Sequence, residues 1–236
     1  MSVNRRLFLS GLAAAGASGA IFSNSALAGA KHKHREPIIV DGLDTSTLND
    51  DYVKMMRQGG VHCVHQSVGD AEHIGEVYHF IEQHSKDLAL AKSVADIHRI
   101  KNEGKIAMVL GKQSPMVFEQ ALRKERHYRV LGQKLRAYHG LGLRVLLLAY
   151  NNNNIFAGGN LNPSSPLTRA GRVLVEEVHK AQIILDVGGH VGERSSLDAI
   201  ALAPDVPVIC SHSNVAALMP NVRAVSNKLC EAIALT

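Results

Sequence analysis

Residues 182–223 read QIILDVGGHVGERSSLDAIALAPDVPVICSHSNVAALMPNVR, and this stretch decides how the rest of the chain is read. Two short apolar runs, Ile183–Val187 and Val206–Cys210, each lead to a histidine, His190 and His212. Between them Glu193–Leu202 reads as a short helix, so the unit is strand, helix, strand. Continuous runs of Val, Ile and Leu suit strands buried on both faces, as in a parallel sheet. Loops at the carboxyl ends of such strands carry the chemistry. Two imidazoles brought to one edge by neighbouring strands could share a metal ion. The alternative is that each histidine caps its strand through hydrogen bonds, and spacing alone weighs slightly toward that.

The same alternation extends upstream. Strands are expected at Pro37–Val40, Val61–Val68, Ile106–Leu110 and Arg144–Ala149. Ser46 or Thr47 is placed to cap a helix with Asp50 and Asp51 in its first turn, ending at Gly59-Gly60. Ala71–His84 reads as helical but irregular. Ser93 and Asp96 make a capping-box-like start, with Val94, Ile97 and Ile100 on one apolar face. Met116–His139 is a long helical stretch broken near Gly132. Thr168 starts a helix with Leu174, Val178 and Ala181 on one face and a Glu176–Lys180 pair on the other. Asn227–Leu235 is the last helix. Asn151–Asn154 and the following GGNLNPSSP form a polar loop. Six strands alternating with helices argue for parallel α/β architecture, without separating an open sheet from a barrel.

The chain has 236 residues, 46% of them apolar and 20% charged, ordinary values for one sizeable globular domain. It opens MSVNRRLFLSGLAAAGASGAIFSNSALAGA, in which Arg5-Arg6 followed by Phe8 and Leu9 resembles a twin-arginine export signal. The apolar stretch Leu7–Phe22 is too short and too rich in Ala and Gly for a membrane span, so no transmembrane segment is expected. Ala26-Leu27-Ala28 fits a cleavage site after residue 28, which makes the protein exported and periplasmic. Cleavage would remove Arg5 and Arg6 and no acid, lowering the net charge from +5 to +3. The KHKHRE tract at 31–36 reads as a solvated basic tail. No basic stripe interleaved with aromatics is present, so nucleic acid is not an expected partner. Cys63, Cys210 and Cys230 make no disulfide framework.

Several stretches carry a family resemblance. LTRAGRVLVEEVHKAQIILDVGGHVGERSSLDAI, then PVICSHSN and Arg223, resembles the renal (membrane) dipeptidase family in order and spacing. IVDGL at 39–43, EGKIAMVLGKQ at 103–113 and LGLRVLLLAYNNNN at 141–154 match upstream. The resemblance covers nearly everything from about Pro37 onward. It implies an eight-stranded TIM-type (β/α) barrel, of which this chain encodes about six strands. That shortfall suggests a C-terminal truncation, by a premature stop or a gene-model error, or completion by a partner subunit in a homodimer.

The family's chemistry uses two zinc ions, joined by a bridging glutamate, and a metal-activated water that attacks a dipeptide carbonyl. The resemblance places His190 and His212 as ligands of the second metal, and Arg223 on the substrate carboxylate, to which an arginine fork can donate two hydrogen bonds. Around His190 the match needs a one-residue insertion, DVGGHV for DLSHV. Tyr150 falls where relatives carry a group thought to stabilise the tetrahedral intermediate; it could donate to the oxyanion or pack at the rim. The ligand positions of the first metal are degenerate. Leu43 stands for the histidine and Thr45 for the aspartate of DGHxD, and Gln113 stands for the bridging glutamate. Asp44 is one residue out of register and is expected to point away. His62, His65 and His73 are available as replacements, though no spacing recommends them.

Two histidines without a carboxylate would hold at most one zinc, weakly. The resemblance therefore implies an exported dipeptidase-like metallohydrolase of impaired activity. The alternatives are a pseudo-enzyme that binds small peptides through Arg223, and a non-functional fragment.

Overall fold

In the computed structural model, which describes residues 37–236, the chain runs β1 (Val40–Asp44), α1 (Asp50–Gln58), β2 (Cys63–Ser67), α2 (Ala71–Gln83), β3 (Leu88–Leu90), α3 (Val94–Asn102), β4 (Ile106–Lys112), α4 (Met116–Glu125), α5 (Arg129–Gly140), β5 (Leu143–Leu147), α6 (Arg169–Lys180), β6 (Ile184–Asp186), α7 (Glu193–Leu202), β7 (Val208–Ile209) and α8 (Asn227–Ala234). All strand pairs are parallel, in the order β1-β2-β4-β5-β6-β7, with β3 also pairing with β4. The sheet curls into a half-barrel. Its two outer strands approach at their carboxyl ends, where a Cβ on Gly42 would come within 2.5 Å of the Ser211 carbonyl oxygen. Only glycine allows that approach.

The helices follow from capping and one-sided burial. In α6 the Thr168 hydroxyl accepts from the Gly171 N–H at 3.0 Å, and Leu174, Val175 and Val178 are fully buried. Burying each such side chain stabilises by about 1.5–3 kcal/mol relative to exposure. Met108, Leu110, Leu143, Leu146, Leu147 and Leu185 supply the matching apolar faces of the sheet. No described helix is long and apolar enough to cross a membrane. The three cysteines are free thiols.

The six expected strands are the six on the main path, and α7 has the expected bounds. Several local expectations are corrected. The cap of α1 is Asn49, whose side chain accepts from the Tyr52 N–H, rather than Ser46 or Thr47. Helix α2 is continuous, with Asp70 as its cap. The break in the long helical stretch falls at Arg126, in the left-handed region at φ 56°, and not at Gly132. Gly132 sits inside α5, where a Cβ would meet the Glu177 carboxylate at 2.1 Å; the glycine lets α5 and α6 approach. Lys180 pairs with Glu177 at 2.7 Å instead of Glu176. The first strand lies at Val40–Asp44, later than Pro37–Val40. Strand β3 was not expected, because three residues are too short a run to register as a strand. The expected signal peptide at 1–28 and the tail at 29–36 lie outside the described residues.

Candidate active site

Strands β5, β6 and β7 end side by side, and the loops that follow them bring Tyr150, His190, His212 and Arg223 together. His190 is 4% exposed. Its Nε2 lies 3.2 Å from Nη2 of Arg223, and its Nδ1 lies 2.7 Å from Oδ1 of Asn151. A guanidinium can only donate, so Nε2 accepts and the ring proton sits on Nδ1, donated to Asn151. The Tyr150 ring stacks on His190 with centroids 4.0 Å apart, and the His212 ring lies tilted 4.9 Å from the His190 ring. Burial, then the charge of Arg223, then His212 push the His190 imidazole down to about 4. His212 is likewise pushed down to about 4 by burial, then Arg223, then His65. Both rings are therefore neutral at pH 7.

His212 contacts the Ser211 hydroxyl through Nδ1 at 2.7 Å, while its Nε2 is buried with no partner among the described residues. A Cβ on Gly189, which sits at φ +64°, would come within 2.9 Å of that nitrogen. His65 belongs to the same neighbourhood. Its Nδ1 donates to the Gly42 carbonyl at 2.8 Å, leaving the buried Nε2 as a bare acceptor against Gly111. Burial lowers its pKa. Asp186 is fully buried, and its Oδ1 accepts from the backbone N–H of Gly188 and of Ser211 at 3.1 and 3.3 Å. Burial pushes its carboxyl up to about 6.

The degenerate positions are arranged differently. Leu43 is half-buried and offers an alkyl group, and Thr45 is exposed. Gln113 donates its amide to the Ser67 hydroxyl at 3.3 Å. Asp44 does not point away as expected. A bulge sets three residue steps of β1 against two of β2 between Asp41 and Asp44, which turns Asp44 inward to 4% exposure. Among the described residues no group of three or more His, Cys, Asp and Glu side chains is placed to hold one metal ion. The donors present do not fit the two-metal centre that the resemblance implies.

Asn151, Asp186 and the placement of His65 escaped the sequence reading. A lone carboxylate inside the apolar run IILDV was the signal for Asp186. Asn151 hid within a run of four asparagines; its backbone at φ 60° turns the side chain back to His190.

Beside this cluster lies a cavity of about 1110 Å³, lined from the ends of β1, β2, β4 and β5 and by α2 and α4, with Tyr150 at its border. Thr45 and Gln113 face it, whereas His190, His212 and Arg223 do not. Lys112 closes one wall. Its ammonium donates to the carbonyls of Val68 (3.3 Å) and Gly69, and burial lowers its pKa to about 8.

The chain is similar in sequence and fold to known proteins. Residues 65–236 match the family described as membrane dipeptidase, peptidase family M19. The dipeptidase tcpJ of Claviceps purpurea is 30% identical over 168 residues, which is 68% of this chain and 36% of that protein. An amidohydrolase from Pseudomonas aeruginosa superimposes with a TM-score of 0.74 at 25% identity, over 84% of this chain and 59% of that one. A metallo peptidase from Rhodobacter sphaeroides, solved with a phosphinate mimic of L-Ala-D-Ala, shares the fold at a TM-score of 0.65 and 18% identity, over 83% of this chain and 70% of that one. The chain spans between 36% and 52% of the length of the curated relatives it matches. With most of its described length matched, and its histidines at the carboxyl edge of a curled parallel sheet, this chain belongs to the membrane dipeptidase family.

Proposed function

We propose that this chain is an exported metallohydrolase-type protein for short peptides whose hydrolytic capacity is impaired. Arg223 binds the carboxylate end of the peptide. The observation that carries this reading is the donor set itself. Arg223 occupies Nε2 of His190, and Leu43, Thr45 and Gln113 stand where the resemblance implies metal ligands. Zinc, where bound, is one ion held loosely at His190 and His212. A metal bound there would supply an activated water.

The chain's own residues have definable parts. Arg223 engages His190 through one nitrogen and keeps further N–H groups for a carboxylate. Asn151 fixes the His190 tautomer. Tyr150, stacked on His190 and about half exposed, can offer its hydroxyl to a developing oxyanion. The localisation belongs to the same reading: a periplasmic mature protein, released after Ala28, that self-associates as a homodimer.

A binding reading without turnover is favoured by the Arg223–His190 contact. Elemental analysis after dialysis without chelator, beside calorimetry and cleavage assays on a dipeptide panel, separates the two. Well under two zinc ions per chain, with carboxylate-dependent binding and weak or absent cleavage, is expected. Two tightly held zinc ions, or robust zinc-dependent cleavage, would refute the impaired reading.

A further inference from the structure

Helices α4 and α5 carry a charge imbalance that the peptide site does not use. Residues 37–236 hold 21 Lys and Arg against 20 Asp and Glu, a net of +1. The stretch 123–136, RKERHYRVLGQKLR, holds 6 against 1, a net of +5, so the other described residues sum to −4.

The excess is concentrated at the turn of a helical hairpin. Helix α4 ends at Glu125 and α5 starts at Arg129, and Arg123, Lys124, Arg126, His127, Tyr128 and Arg129 around the turn are all exposed. Arg123 pairs with Glu119 at 2.7 Å, and Glu177 of the neighbouring α6 is held by Lys180. Lys124, Arg126 and Arg129 have no ion-pair partner among the described residues. Arg126 takes the left-handed region at φ 56°, and its N–H closes α4 by donating to the Leu122 carbonyl. Glycine fills such a place at lower backbone cost, so what the arginine adds is its charge.

Unpaired cations on a projecting turn suit a broad negative surface, whereas a single small anion is held by concave walls. Two features favour a layer of lipid headgroups over nucleic acid. A groove of about 470 Å³ beside the turn is lined by Val117, Ala121 and Val130 together with Lys124 and Lys134, the mix of apolar and cationic groups that an amphiphile matches. Tyr128, 37% exposed between Arg126 and Arg129, has the apolar ring and polar tip that settle at membrane–water interfaces. Fields fade within about 8 Å at physiological salt, so negative charge elsewhere on the chain leaves the attraction of the turn intact.

We propose that the α4–α5 turn is a docking surface for an anionic phospholipid bilayer, to which the chain adsorbs peripherally through Lys124, Arg126 and Arg129. No spanning helix is needed for this, and none is found among the described residues. The adsorption is independent of metal and of peptide turnover.

The test is co-sedimentation of the full chain with vesicles of phosphatidylcholine alone, or of phosphatidylcholine and phosphatidylglycerol in equal parts. The same measurements are made on a chain with Arg5, Arg6, Lys31, Lys33 and Arg35 changed to Gln, which removes the basic charge of residues 1–36. In both backgrounds the anionic vesicles bind the chain and the neutral ones do not. Lys124→Gln/Arg126→Gln/Arg129→Gln weakens that binding on the order of 100-fold, at about fivefold per charge. Lys124→Arg/Arg126→Lys/Arg129→Lys keeps the charge and keeps the binding, which separates lost attraction from misfolding. Raising salt from about 0.1 M to about 1 M shortens the Debye length from about 10 to about 3 Å and releases the chain. Equal binding by the unsubstituted turn and its triple Gln variant in the second background would overturn the proposal, as would loss of binding in the charge-keeping variant. A duplex DNA oligonucleotide bound as tightly as the anionic vesicles, with the same dependence on the turn, would overturn the choice of lipid.

Discussion

Nη2 of Arg223 donates to Nε2 of His190 across 3.2 Å, although the two residues are 33 positions apart in the chain. One contact thereby couples the arginine proposed to bind a carboxylate to the histidine that the family resemblance makes a metal ligand. The lone pair engaged by the guanidinium is not free for a cation while the contact lasts. Burial first, and then the positive charge beside it, hold the imidazole neutral down to about 4.

Arg223→Ala tests both ends of that contact. Peptide binding weakens roughly 10- to 150-fold if about 1.5–3 kcal/mol per charged hydrogen bond applies. The His190 pKa rises, because a neighbouring positive charge is removed. Calorimetry with a dipeptide and an NMR titration of the histidines read the two effects. An unmoved His190 titration together with unchanged affinity would dissolve the link.

Acid destabilises the fold through the two rings. His190 and His212 bind protons near 4 in the folded chain but near the ordinary 6.5 when unfolded. Between those values the unfolded chain takes up protons that the folded chain refuses, so stability falls as pH drops from 6.5 toward 4. Asp186 acts the opposite way. Its folded pKa of about 6 lies above the ordinary 3.8, so it favours the folded state as pH falls through that window. Asp186→Asn, which keeps the acceptor for Gly188 and Ser211, should lose more stability than wild type between pH 7 and pH 5. The double variant His190→Asn/His212→Asn should lose less. Urea midpoints at the two pH values provide the comparison, and equal slopes in all three proteins would rule out these groups as the source.

Gly111→Ala forces a methyl group into the His65 ring, where the Cβ would lie 1.8 Å from Nε2. Overpacking of this kind costs about 1–3 kcal/mol. At about 2–4 °C per kcal/mol for a chain of this size, thermal unfolding should show the loss clearly. Combining Gly111→Ala with His65→Ala should recover part of it, because the ring that clashes has gone. A double variant that is simply additive would show the two positions do not touch.

The proposed export would rest on Arg5 and Arg6, which lie outside the described residues. Changing both to lysine should leave uncleaved precursor in the cytoplasm, as followed by cell fractionation and N-terminal sequencing of the mature protein near Gly29. Normal export of that double variant would end the twin-arginine assignment.

Apolar periodicity and capping act within a few residues, and what they control could be read from sequence. The α7 bounds, the Thr168 and Ser93 caps and the strand that precedes each histidine all follow from local side-chain chemistry. The departures at Leu43, Thr45 and Gln113 were equally visible, because a missing carboxylate or imidazole is a property of the residue itself. Tertiary structure decided whatever depends on residues far apart. The bulge that turns Asp44 inward arises where β1 meets β2, Gly132 stays helical where α5 packs against Glu177 while the break falls at Arg126, and His65 became a neighbour of His212 only when β1 and β7 converged. The pairing of Arg223 with His190 is of the same kind: its partners are chosen by the curl of the sheet, which is set by side chains packed across the whole core and not by any short stretch of sequence.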